Sequence, residues 1–175
     1  MITFEIHPQG PDHAHLLDDL LDRTFGPDRH DKTVYRLREG VEDLKDLAFV
    51  ALAPEGELLA SLRFWPIHIQ GAPAILLGPL AVEPGLQGGG IGKSLVHHGL
   101  TEARRLNHRI CVVVGAPGYY GPYGFVSAVA SGLVLPGPVD PRRFQALELE
   151  PGALEGVRGT IGRVEPAPDL GAERA

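Results

Sequence analysis

Apolar and polar positions alternate from Ile2 to Ile6 in the manner of a strand, and from Pro11 the pattern turns helical, with Ala14, Leu17, Leu20, Leu21 and Phe25 on one side. Gly26-Pro27-Asp28 interrupts that helix, and Val34 and Leu37 mark a second short helix within Arg29 to Glu39. Leu47 to Ala53 and Leu58 to His68 read as strands joined by a hairpin turn at Pro54-Glu55-Gly56-Glu57. After a second turn at Gln70-Gly71-Ala72-Pro73, the apolar strand Ala74 to Val82 contains Gly78-Pro79. That pair cannot sit in an unbroken central ladder and predicts a bulge or splay.

Ile91, Leu95, Leu100, Ala103 and Leu106 recur at helical spacing, with Lys93, Glu102, Arg104 and Arg105 toward water, so Ile91 to Leu106 is the best-defined helix. Arg109 to Val114 is the β-branched run expected of a central strand covered on both faces. A loop or short helix rich in Gly, Pro and Tyr spans Gly115 to Gly124, followed by strands near Phe125 to Val129 and Phe144 to Glu150. This order predicts an α/β (α+β) domain over residues 1–150, a mixed sheet flanked by helices. The Gly/Pro/Ala-rich residues 151–175 are expected to form a loosely ordered tail.

Composition narrows the function. A chain of 175 residues suits one well-packed core. A net charge of -6 argues against phosphate-backbone binding, so nucleic acid is not the expected partner. The single cysteine, Cys111, sits in an apolar strand and reads as a buried thiol suited to a reducing cytoplasm. Neither a secretory signal nor a membrane-length apolar run is present, so the expected location is cytoplasmic, with no membrane partner.

The most specific segment runs from Leu80 to Ser94, where a strand passes through Gly85, Gly88, Gly89, Gly90 and Gly92 into the amphipathic helix. Glycines let backbone approach a ligand closely, and the free N–H groups of a helix's first turn, with the dipole behind them, suit a phosphate or pyrophosphate. Gly92-Lys93-Ser94 imitates the end of a Walker A loop, but Gln87 stands where its first glycine belongs. The strand Ile110 to Val114 also ends in Gly115 without the Asp that would help hold magnesium. The dinucleotide fingerprint fails as well, because Gly88-Ile91-Lys93 breaks its spacing.

Gln87-Gly88-Gly89-Gly90-Ile91-Gly92 instead resembles the Q/R-x-x-G-x-G/A signature of the GNAT superfamily of acyl-CoA-dependent N-acetyltransferases. The lead-in Gly78-Pro79-Leu80-Ala81-Val82-Glu83-Pro84 is similar to that family's fourth strand. Tyr119-Tyr120-Gly121-Pro122-Tyr123-Gly124-Phe125 is similar to its aromatic-Tyr-x-x-x-Gly-Phe element, and the whole looks closest to the YhbS-like branch of bacterial members. The resemblance implies a mostly antiparallel sheet splayed at the fourth strand. It implies an acetyl-CoA site made by Leu80, Ala81 and Val82 along the pantetheine arm and by Gln87, Gly88, Gly89, Gly90, Ile91, Gly92 and Lys93 around the pyrophosphate. A backbone amide near Val82 would stabilise the oxyanion, and Tyr120 would protonate the departing thiolate. Tyrosine's ordinary pKa near 10 keeps a proton available for that step, with Tyr119 and Tyr123 as alternative donors.

Two departures from the family pattern stand out. Val113-Val114-Gly115-Ala116-Pro117-Gly118 lacks the Asn that many members place before this Tyr, and Ala74 to Val82 lacks a carboxylate general base. Glu83 beside Pro84 reads as a turn residue. His13, His15, His97 and His98 have no metal-site spacing, so no metal is expected. His30 and His68 are candidates to lie beside the acyl site and titrate near neutrality, and Trp65-Pro66 to wall a substrate pocket. The expected acceptor is a small-molecule or peptide amine, with the acidic net charge favouring a cationic one such as a polyamine, aminoglycoside or lysine-like group. A homodimer through an edge strand remains open, and a CoA-binding sensor without turnover is the alternative function.

Overall fold

The computed structural model describes residues 2–29 and 33–165. Its elements in chain order are β1 Glu5–Pro8, α1 Ala14–Phe25, α2 Thr33–Arg36, β2 Ala48–Leu52, β3 Leu58–Ile69, β4 Ala72–Val82, α3 Ile91–Arg105, β5 Ile110–Val114 and α4 Pro117–Tyr120. β6 Val126–Ser127, β7 Leu133–Val134, β8 Phe144–Glu148 and β9 Gly159–Arg163 follow. The sheet runs β1-β2-β3-β4-β5-β8-β6. Its neighbours are antiparallel except β4 and β5, which run parallel with α3 as their crossover.

Alternation assigns each strand's residues to two faces. On one face Leu62, Phe64, Ile75, Leu77, Cys111 and Val113 pack under the α3 stripe of Ile91, Leu95, Val96, Leu100 and Ala103. Each large aliphatic side chain buried there contributes about 1.5–3 kcal/mol of transfer free energy. On the other face Val50, Leu58 and Ala81 receive Leu17, Leu20 and Leu21 of α1. Further along that face Ile67, Leu76, Val112 and Phe144 meet Leu37 and the C-terminal segments.

β4 changes phase partway along. Leu62 pairs with Leu80 and Phe64 with Leu77, so β4 carries one residue more than β3 between those pairs, at Gly78-Pro79. The peptide bond there is cis. This is the expected bulge, and it moves the α3-facing set from odd positions (Ile75, Leu77) to even ones (Leu80, Val82).

α3 ends as its sequence suggests. Asn107 adopts φ +67, and the N–H groups of His108 and Asn107 reach the carbonyls of Ala103 and Arg104, the paired bonds of a Schellman motif. Two expectations are revised. The second helix is only the single turn Thr33–Arg36, because Val34 and Leu37 supply too few apolar positions for a longer stripe. The C-terminal segment is not wholly loose: β9 pairs with β3 at Ile67–Ile69 and buries Ile161, so the sheet continues past residue 150. Residues 166–175 of that expected tail, and His30, lie outside the described residues.

Candidate active site

The sheet opens into a fork. β4 and β5 are in register only at Ile75↔Cys111 and Leu76↔Val112. Beyond that point β4 continues to Val82 along β3 while β5 continues to Val114 along β8. The facing edges therefore part after Leu76 and carry unpaired backbone groups into a cleft of about 870 Å³. Glu83 donates its N–H to Leu59 O on β3, so by alternation Ala81 also faces β3, whereas Leu80 and Val82 turn their N–H and C=O toward the cleft. The Val82 carbonyl accepts a hydrogen bond from Gln87 Nε2 at 3.3 Å, consistent with that direction. Ala81 is thus a correction to the expected donor site. Its backbone belongs to the ladder and its side chain to the α1 core.

One end of the cleft leads to the N-terminus of α3. No side chain caps this helix, and its N-cap Gly90 has φ +91, a conformation that any other residue would adopt only under strain. Open space lies where a side chain at Gly88 or Gly90 would project. Gly92 is needed for close packing: a Cβ there would come within 2.7 Å of Tyr119 Oη and 3.4 Å of Val82 Cγ2. The first-turn amides of Ile91, Gly92 and Lys93 are thereby left open to an anion. Gly89 serves the turn, since its N–H donates to Leu86 O and its Cα lies against Ile2.

The three tyrosines divide in role. Tyr119 hydrogen-bonds the Tyr123 hydroxyl, which donates in turn to Lys93 O at 3.4 Å, so both phenolic protons are committed beside α3. Tyr120 lies across Gly115 at the end of β5, with its ring packed edge-on against Tyr119 at 4.9 Å and Phe125 at 5.7 Å. It lines the cleft, and among the described residues its hydroxyl has no hydrogen-bond partner. Burial, then the neighbouring Tyr119, Cys111 and Tyr123, push its pKa well above the ordinary phenol value, so it holds its proton throughout the physiological range.

Past the fork the wall becomes cationic, a feature that no local sequence pattern marks. Arg38 is only 8% exposed, and its Nη2 lies 3.0 Å from where a Cβ on Gly78 would project. Its guanidinium stands over the rings of Tyr35 at 4.8 Å and Trp65 at 5.7 Å, and Arg63 reaches the same Trp65 ring at 5.4 Å. Burial lowers the Arg38 pKa to about 10, which leaves it charged at neutral pH. Trp65 also donates its indole N–H to Gly78 O at 2.7 Å, satisfying a carbonyl that the bulge takes out of the ladder. The expectation that Trp65 walls a pocket agrees with this. No local pattern marks Arg38, because its neighbours come from β3, β4 and α2.

Other candidates lie elsewhere. His68 sits against Gly162 of β9, and neither it nor Pro66 lines the cleft or the cavity around Arg38. Glu83 is held by Arg23 through a two-pronged ion pair with contacts of 3.2 and 2.8 Å, which ties α1 to the end of β4. The cleft lining contains no carboxylate and no imidazole among the described residues. His98 packs edge-on against Phe49 at 4.7 Å, and no metal-binding cluster occurs among the described residues. Cys111 is fully buried, with its pKa raised by that burial, and no helix among the described residues is long and apolar enough to cross a membrane.

Comparison with known proteins meets this geometry from outside. The family model described as Acetyltransferase (GNAT) family matches residues 14–119, ending one residue before Tyr120. The uncharacterized N-acetyltransferase YhbS of Escherichia coli K12 is 33% identical over 147 residues, covering 83% of this chain and 87% of that protein. The crystal structure of Escherichia coli YhbS in complex with CoA superposes with a TM-score of 0.81 at 31% identity, over 95% of this chain and 92% of that one. A GNAT family acetyltransferase from Brucella melitensis in complex with acetyl-CoA gives 0.69 at 26% identity, over 96% and 100%.

Proposed function

The chain belongs to the GNAT acetyltransferase family, and from that premise we propose that it moves an acetyl group from acetyl-CoA to a primary amine by direct attack in a ternary complex. The observation that carries this reading is the fork, with an uncapped helix N-terminus at one end and an uncommitted phenol at the other. The amides at the start of α3 hold the pyrophosphate, and the cleft-facing groups of Leu80 and Val82 bond the pantetheine arm as an added strand would. A backbone N–H of this edge donates to the thioester oxygen as charge develops there. The free amine nitrogen forms the new bond to the acetyl carbon and the carbon–sulfur bond breaks. Tyr120 gives its proton to the sulfur and regains one from solvent, while the ammonium proton leaves to solvent. Because no carboxylate or imidazole lines the cleft among the described residues, ordered water is the base.

A cleft lining without carboxylate or imidazole among the described residues also fits a second reading, a CoA-binding sensor without turnover. Thiol release from acetyl-CoA across a panel of amines, amino acids and peptides separates the two. Release with one acetylated product per thiol is expected. Saturable acetyl-CoA binding with no release above the hydrolytic background would overturn transfer in favour of the sensor.

A further inference from the structure

Two guanidiniums converge on the acceptor side of the fork with no carboxylate within 4 Å of either among the described residues, Asp43 and Asp18 acting on Arg63 only from farther away. Arg29, which lines the cavity around Arg38, is 7% exposed and ion-paired with Asp22 and Asp18, with its Nε buried and unpartnered. Arg38, buried to the same degree, differs in having no carboxylate within 4 Å among the described residues; Tyr35 hydrogen-bonds its guanidinium instead, and its Nε, like that of Arg29, is buried without a hydrogen-bond partner. Arg63 Nε is likewise buried and unpartnered. The two like charges face a cavity of about 720 Å³ that shares Tyr35, Arg36 and Arg38 with the acetyl-CoA cleft and whose lining sets four arginines against two carboxylates, Asp18, which pairs with Arg29, and Glu39. Buried charge without a carboxylate partner is costly, and the Tyr35 hydrogen bond and the ring contacts with Tyr35 and Trp65 offset only part of that cost.

We propose that the acceptor amine carries a carboxylate, which Arg38 binds with Arg63 in support while the amine points into the fork. This rests on the amine-transfer reading and deepens it. A carboxylate matches the planar guanidinium fork and supplies the partner that Arg38 Nε lacks. The net charge of -6 does not decide acceptor choice, because exposed charges are screened over a Debye length of about 8 Å whereas Arg38 lies inside the cavity wall. The arginine wall therefore reverses the preference for a purely cationic acceptor.

Trp65 is the only tryptophan in the chain and reports on this cavity without turnover. The test titrates CoA-saturated protein with glycine, β-alanine, L-lysine, L-glutamate and L-phenylalanine, each beside its carboxamide, while Trp65 emission is followed. At least one carboxylate is expected to saturate with an affinity about 10-fold or more above its amide. Arg38→Gln should erase that ratio by weakening the acid far more than the amide, whereas a structural defect would weaken both alike and keep the ratio. Retained CoA binding by Arg38→Gln shows that it is folded, and Arg38→Lys should restore part of the ratio. Equal binding of acid and amide, an unchanged ratio in Arg38→Gln, no saturation by any carboxylate, or tighter binding of ethanolamine phosphate than of every carboxylate would each overturn the proposal. The two readings fail separately: transfer without a carboxylate preference refutes only this inference, and carboxylate binding without thiol release refutes only transfer.

Discussion

Replacing Tyr120 by Phe removes one oxygen from the proposed site and little else. The ring contacts with Tyr119 and Phe125 survive, and the lost hydroxyl has no hydrogen-bond partner among the described residues, so stability should change by no more than about 1 kcal/mol. Catalysis should change far more. General acids contribute about 10²- to 10⁴-fold, and a thiolate whose conjugate acid has a pKa of about 8.5 needs less help than most leaving groups. The expected loss is therefore at the lower end, about 100-fold in kcat or roughly 2.7 kcal/mol, with the KM for acetyl-CoA unchanged. The pH profile adds a second check. Because burial raises the Tyr120 pKa, its proton is retained above the ordinary phenol value near 10, and the wild-type rate should rise with amine deprotonation and show no fall from Tyr120 ionisation below pH 10. Thiol release followed with a disulfide reagent between pH 6 and 9.5, beside thermal unfolding, measures both quantities. A Tyr120→Phe enzyme with wild-type kcat throughout that range would refute the assignment.

Gly92→Val places its Cβ 2.7 Å from Tyr119 Oη and 3.4 Å from Val82 Cγ2, so the half-buried Tyr119 ring must shift from its place beside Tyr123 and the start of α3 is crowded; acetyl-CoA affinity should fall at least about 10-fold by calorimetry while the far-ultraviolet spectrum stays native. Arg38→Met should stabilise the protein. Burial that lowers the arginine pKa to about 10 opposes folding by on the order of 3 kcal/mol, partly offset by the Tyr35 hydrogen bond and the ring contacts, so a net gain of about 1–2 kcal/mol should raise Tm by roughly 2–6 °C. The sign follows from linkage: the penalty is full while Arg38 is charged, below about pH 10, and fades as pH rises past that value toward the ordinary arginine range. A Tm lowered at pH 7 would mean that Arg38 has a counter-ion.

What was legible in the sequence and what was not follows from the range of the interactions concerned. The α3 stripe, the bulge at Gly78-Pro79 and the apolar β5 run are local patterns, and each appears within a residue or two of its expected bounds. The fork needed only the recognition that a bulged strand parts from its neighbour. β9 has no strong sequence pattern, because Gly159–Arg163 has one buried side chain, Ile161, and gains its place from edge pairing with β3. Ala81 groups with Leu80 and Val82 in sequence, but strand alternation turns its backbone toward β3. The arginine wall is the largest omission: Arg38, Arg63 and Trp65 are 25 and 2 residues apart in sequence, and only the packing of α2 against β3 and β4 unites them.

The central claim is that the fork between β4 and β5 is the transfer site and Tyr120 its proton donor, and a crystal structure of this protein with CoA tests it most directly through one distance. The account predicts the CoA sulfur between the parted strands, within about 3.5 Å of Tyr120 Oη or one water away from it. A sulfur outside the fork, or one beside Tyr119 Oη with Tyr120 turned away, would contradict it.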